Sequence, residues 1–135
     1  MKVSTYALTD IGMKRKNNQD AYLKDDALGL YVVADGMGGH RGGEVASRVA
    51  VEEIQKYCKD NKQLPPRDRL DKGVNQSCSE IYRKSTENEE LAGMGTTVLA
   101  LLLHEGMAFN RGSGLFWIRM VRQSDDHPQP IERLF

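Results

Sequence analysis

The segment Val32-Val33-Ala34-Asp35-Gly36-Met37-Gly38-Gly39-His40 sets an acidic residue at the end of an apolar run and follows it at once with glycine. Such a pair suits a hard cation. The carboxylate offers one oxygen, and the residue without a side chain lets its own carbonyl turn inward as another. A glycine-rich strand-to-helix turn that holds no ligand reads equally well from these residues. Two phosphate-binding alternatives fail on spacing. A dinucleotide fingerprint counted from Gly36 needs glycine where Arg41 stands, and a phosphate loop spanning Gly38 and Gly43 needs lysine where Glu44 stands.

A second segment, Gly12-Met13-Lys14-Arg15-Lys16-Asn17-Asn18-Gln19-Asp20, runs from basic residues through amides to a carboxylate. Alone it reads as a solvated loop. Beside Asp35 it offers an arginine for a phosphate and a further acid near a cation. A glycine-backed aspartate, a second acid and an arginine are what metal-assisted phosphoryl hydrolysis requires.

These residues need elements to hold them. Val3 to Thr9 alternates between apolar and polar residues, and Ala21-Tyr22-Leu23 is another short strand candidate. Leu28 to Ala34 is continuously apolar apart from Gly29, which predicts a strand buried on both faces. Val45, Ala46, Val49, Ala50, Ile54 and Tyr57 recur at helical spacing until Pro65-Pro66 stops the element. Leu70, Val74, Ser77, Cys78, Ile81 and Tyr82 predict one face of a second helix, and Cys58 and Cys78 are both expected to face the core. Thr96 to Leu103 is the clearest strand, His104 to Met107 reads as a hairpin turn, and Leu115-Phe116-Trp117-Ile118 is a further apolar run. Strands, then a helical pair, then strands predict an α+β layered fold.

Composition bounds the partners. The chain has 135 residues, enough for one domain, with 19 basic and 19 acidic residues and no net charge. That balance argues against nucleic-acid and membrane-surface binding. No apolar run approaches the roughly 18 residues that span a bilayer. Met1 to Thr5 leads into no apolar stretch of the signal-peptide kind. Two cysteines are too few for a disulfide framework, and a cytoplasmic setting is expected.

Taken together, Arg15-Lys16-Asn17-Asn18-Gln19-Asp20, Ala34-Asp35-Gly36-Met37-Gly38-Gly39-His40 and Gly93-Met94-Gly95-Thr96-Thr97 resemble the opening motifs of metal-dependent protein serine/threonine phosphatases of type 2C, the PPM family, in their bacterial form. The resemblance covers residues 1 to about 103. It implies that Asp35 bridges two Mg2+ or Mn2+ ions and that Gly36 gives its carbonyl to one of them. It implies further that Asp20 holds metal-bound water and that Arg15 grips the substrate phosphate. Gln19 stands where the family has Glu or Gln, His40 matches a histidine without an assigned step, and Gly95-Thr96-Thr97 reads as structural. The implied reaction is hydrolysis of phosphoserine or phosphothreonine in a protein, by water activated between the ions and without a phosphoenzyme. The implied fold is two packed β-sheets flanked by helical pairs, and the implied setting is signalling.

Beyond Leu103 the sequence departs from that pattern. Arg111-Gly112-Ser113-Gly114 stands where Gly-Asp-Ser-Arg is expected, and Ser124-Asp125-Asp126-His127 resembles a worn Thr-x-Asp-His-Ser segment. The expectation is therefore a single partial domain over 1–135, matched over 1–103 and divergent over 104–135, incomplete at its C-terminal end. Asp20, Asp35 and Gly36 alone are few ligands for two ions. This leaves an alternative open, a pseudophosphatase-like module that binds a phosphoprotein or partner. It also leaves open self-association through unpaired strands. Asp125, Asp126 and His127 read better as a solvated loop than as a replacement metal cluster.

Overall fold

The computed structural model describes residues 18–39 and 41–112, and the backbone of two short strands beyond them. Strands β1 (Asp20–Asp25) and β2 (Leu30–Met37) lead into helices α1 (Gly42–Asp60) and α2 (Pro66–Glu87). Strands β3 (Gly95–His104) and β4 (Met107–Gly112) follow, and β5 (Gln123–Ser124) pairs with β6 (His127–Pro128). The first four strands form one antiparallel sheet in the order β1-β2-β3-β4. The α+β class expected from the sequence is what the chain adopts. Among the described residues it shows one large sheet and one helical pair.

Local chemistry sets the turns. Between β1 and β2 the Asp25 carboxylate accepts the Leu28 N–H at 3.0 Å, and Gly29 takes a φ of +67°. The Gly29 carbonyl accepts the Leu103 N–H at 2.8 Å, and a Cβ at Gly29 would lie 2.5 Å from the Leu103 oxygen. Glu105 and Gly106 join β3 to β4 with φ of 49° and 76°, the paired positive values of a type I′ hairpin. The predicted turn at His104 to Met107 is present. Pro66 opens α2, where its missing N–H costs nothing.

The helices cover one face of the sheet. Leu30, Val32, Ala34, Ala100 and Leu102 meet Ala50, Val51, Ile54, Cys58 and Leu70 in the core. Each fully buried aliphatic side chain there contributes about 1.5–3 kcal/mol. Gln55 of α1 donates to the Asp25 carboxylate at 3.0 Å, tying the helix to β1. The buried Arg69 donates to the carbonyls of Lys62 and Leu64 at 3.2 and 3.1 Å, holding the link between the helices against α2. Arg111 of β4 lies 3.7 Å from Asp71 of α2.

Two expectations need correction. Strand β2 is not buried on both faces: its residues alternate between buried and partly or fully exposed, and Val33 is 53% exposed. The helices pack on one side of an antiparallel sheet, so only Leu30, Val32, Ala34 and Gly36 are covered. Cys58 is buried as expected, whereas Cys78 is exposed and Tyr82 is 72% exposed. The inward side of α2 carries the buried Leu70, Gly73 and Ser77 with Val74 and Ile81 partly buried against the core as expected, and Gly73 faces Tyr57 and Cys58 of α1. Cys78 lies about a quarter-turn away from Ser77, off that side. The strand candidates Val3–Thr9 and Leu115–Ile118 lie outside the described residues.

Candidate metal centre

The candidate site lies where β2 runs out toward α1. Asp20, the first residue of β1, stands opposite Asp35 in the ladder, and Asp35 stands opposite Thr97 in β3. All three are exposed, on the face that the helices leave open. The Gly36 N–H donates to the Gln19 carbonyl at 2.9 Å. Rungs of an antiparallel ladder alternate, so the neighbouring Asp20–Asp35 rung is the non-hydrogen-bonded kind, with Cα atoms about 4.5 Å apart and side chains closest. Opposed like charges on such a rung repel. A divalent cation between them turns that repulsion into attraction, so the donor set fits a hard metal ion.

Backbone contacts hold the row. The Thr97 hydroxyl accepts the Asp35 N–H at 3.2 Å and lies 3.4 Å from the Asp35 carbonyl oxygen, to which it donates. The Asn18 side-chain oxygen accepts the Asp20 N–H at 3.0 Å. Thr97, read from the sequence as structural, thus fixes the backbone of the central aspartate. Its signal was the hydroxyl in Gly95-Thr96-Thr97, but only the register shows which strand residue it meets.

Packing alone requires glycine at position 36. Its backbone is ordinary β2 strand, without a left-handed φ. A Cβ there would run into the Gly43 carbonyl oxygen and lie 2.8 Å from the Gln19 oxygen. The residue is glycine because the first turn of α1 sits directly on it. Gly38 does need its freedom, with a φ of +147°. Gln19 donates from Nε2 to the Gly38 carbonyl at a long 3.5 Å.

Of the predicted site residues, Asp20, Asp35 and Gly36 come together. Arg15 and His40 lie outside the described residues, as do Asp125 and Asp126, and His127 is placed only by its backbone in β6. Among the described residues no group of three or more His, Cys, Asp or Glu side chains forms a metal cluster. No helix among them is long and apolar enough to cross a membrane.

With this geometry in hand, comparison with known proteins is direct. The sequence profile described as Protein phosphatase 2C matches residues 13–118, which includes all three motifs from Arg15 onward and continues past Leu103. A "Putative protein phosphatase 2C-type" of Streptococcus pyogenes is 41% identical over 114 residues, covering 80% of this chain and 45% of that protein. The crystal structure of the Mycobacterium tuberculosis serine/threonine phosphatase PstP/Ppp superposes with a TM-score of 0.70 at 32% identity, over 78% of this chain and 44% of that one. The catalytic domain of the serine threonine protein phosphatase PstP, in complex with two manganese ions, gives a TM-score of 0.62 at 28% identity, over 75% and 51%. The chain belongs to the protein phosphatase 2C family of metal-dependent serine/threonine phosphatases. It spans about half or less of the length of the curated relatives it matches.

Proposed function

We propose that the chain is one partial phosphatase domain over residues 1–135, and that it takes part in metal-dependent hydrolysis of phosphoserine or phosphothreonine in proteins, in a cytoplasmic signalling setting. The observation that carries this reading is the Asp20–Asp35 rung, an opposed acidic pair that a divalent cation would neutralise. The manganese ions held by a structural neighbour support metal dependence. Mg2+ is equally compatible with oxygen donors alone.

In this reading the Asp35 carboxylate and the Gly36 carbonyl hold metal, and Asp20 holds and orients water beside them. Arg15 grips the phosphate of the protein substrate through its planar fork of donors. When bound, a pair of Mn2+ or Mg2+ ions supplies Lewis-acid charge and an activated water for in-line attack on phosphorus. The chain's own part is to keep two carboxylates on adjacent strands at a fixed separation. Thr97 and Gln19 clamp the backbone on either side of Asp35.

The test is hydrolysis of p-nitrophenyl phosphate by the folded chain at saturating Mn2+. Turnover that Asp35→Asn abolishes supports the enzyme; turnover no greater than blank overturns it for this chain. One observation favours the second reading, a binding module: only two carboxylates meet among the described residues. Phosphopeptide binding that ignores metal and disappears in Arg15→Ala would support that module, and binding unchanged in Arg15→Ala would exclude it. Self-association is the remaining proposal, and light scattering that shows a strict monomer would remove it.

A further inference from the structure

The acidic row has a counterpart on the other side of the sheet. Gln19 immediately precedes Asp20, and Gly36 immediately follows Asp35. Side chains alternate along a strand, so Gln19 and Gly36 meet α1 while Asp20 and Asp35 face away from it. Three elements converge there with no room to spare. A Cβ on Gly43 would lie 2.8 Å from Gln19 Cδ, 2.9 Å from its Oε1 and 3.0 Å from the Gly36 carbonyl carbon. The Gln19 side chain therefore lies in the space that glycine at position 43 vacates.

Two consecutive glycines in the first turn of α1 also call for an explanation. Glycine is a poorer helix former than alanine. Gly43 is accounted for by this contact, since any side chain there would evict Gln19 or push α1 off the sheet.

We infer that Gln19 is a positioning residue for the Asp20–Asp35 pair. Its side chain, wedged between the first turn of α1 and the glycine segment, holds the Gln19–Gly36 rung closed. That rung, one step from the aspartates, sets the separation of their carboxylates on the opposite face. The glycine segment at 36, 38 and 39 has more backbone freedom than any other residue type would give it. Without a wedge the end of β2 can drift from β1. Cation affinity depends on oxygens held in place beforehand, so the consequence for metal rests on the proposed function, whereas the geometry does not.

Nuclear magnetic resonance on the whole chain tests it. Facing residues on a non-hydrogen-bonded rung bring their Hα atoms together, so Asp20 and Asp35 give a strong Hα–Hα cross-peak. In Gln19→Ala that cross-peak falls below half its wild-type intensity, and the Gly36 amide exchanges roughly tenfold faster. Gln19→Met, which keeps the shape and loses the amide, restores both signals. A residue that merely adds stability would lower the melting temperature and move neither signal. The inference is overturned if Gln19→Ala leaves the cross-peak and the exchange rate at wild-type values, or if Gln19→Met behaves as Gln19→Ala does. Mn2+ titration of the same samples separates the readings. Wild-type protein that binds no Mn2+ but shows these NMR changes sinks the metal function and leaves the positioning role standing.

Discussion

Gly36 in β2 and Gly43 in the first turn of α1 touch backbone to backbone, and a Cβ on Gly36 would collide with the Gly43 carbonyl oxygen. Helix and strand meet without intervening side chains, one residue beyond Asp35. The contact fixes where α1 begins relative to the end of the strand, and so fixes the base on which the acidic row stands.

That contact predicts a sharp contrast between neighbouring glycines. Gly36→Ala must push backbone against backbone, and is expected to cost roughly 3 kcal/mol, the upper part of the overpacking range. A Cβ on Gly39 would meet nothing within 4 Å, so Gly39→Ala should stay within about 0.5 kcal/mol of wild type. Urea denaturation of both variants checks the pair.

The opposition of Asp20 and Asp35 predicts an effect that changes sign with metal. In chelator, Asp35→Asn removes a like-charge pair facing across strands and should raise stability by about 0.2–1 kcal/mol. In Mn2+ the wild type gains stability by mass action and the variant does not, so the order reverses. Melting curves in EDTA and in Mn2+ are the measurement.

Much of this arrangement was legible in the sequence. The hydrophobic spacing of Ala46, Val49, Ala50 and Ile54 marks the buried stripe of α1, and the turn after His104 is where the chemistry of Glu105-Gly106 puts it. The motifs singled out Asp20, Asp35 and Gly36, which the sheet brings together. What the sequence concealed depends on neighbours distant along the chain. The apolar run of β2 does not say that one of its faces lacks a helix. Cys78 and Tyr82 fit a helical face, but the side of α2 turned to the core carries Leu70, Gly73 and Ser77 with Val74 and Ile81 beside them, and leaves Cys78 and Tyr82 exposed. That the first turn of α1 also demands glycine at position 36 was not legible, because the residue it meets comes from the next element. The Asp20–Asp35 register is equally long-range, although both residues stand six positions from the Asp26–Gly29 turn.

Asp25 predicts an acid limb in stability. The Gln55 amide and then the Leu28 N–H hold its carboxylate below the usual 3.8. A depressed folded value means that the contribution is present above the unfolded value and is lost as pH falls through the folded one, below about pH 4. Gln55→Ala removes the principal donor and should flatten the pH dependence in that window. Denaturation midpoints between pH 2 and pH 6 would show it.

The cysteines should separate cleanly. Burial pushes the Cys58 thiol up to about 11, against an opposing pull from Arg69, while Cys78 is exposed. Iodoacetamide at pH 8 should label Cys78 in the folded chain and reach Cys58 only after unfolding. Mass spectrometry of the labelled peptides decides it. A raised folded value also predicts stability intact below pH 9 and lost as pH rises toward about 11.

In the proposed function Asp35 and Gly36 of β2, with Asp20 set opposite on β1, are this chain's share of a divalent-metal site. Isothermal titration of Mn2+ into the wild type, Asp20→Asn and Asp35→Asn tests it most directly, with circular dichroism confirming that each is folded. Saturable binding in the wild type, weakened in Asp20→Asn and abolished in Asp35→Asn, is the predicted result. A folded wild type that takes up no Mn2+, or a folded Asp35→Asn that binds it as tightly as wild type, would contradict the claim.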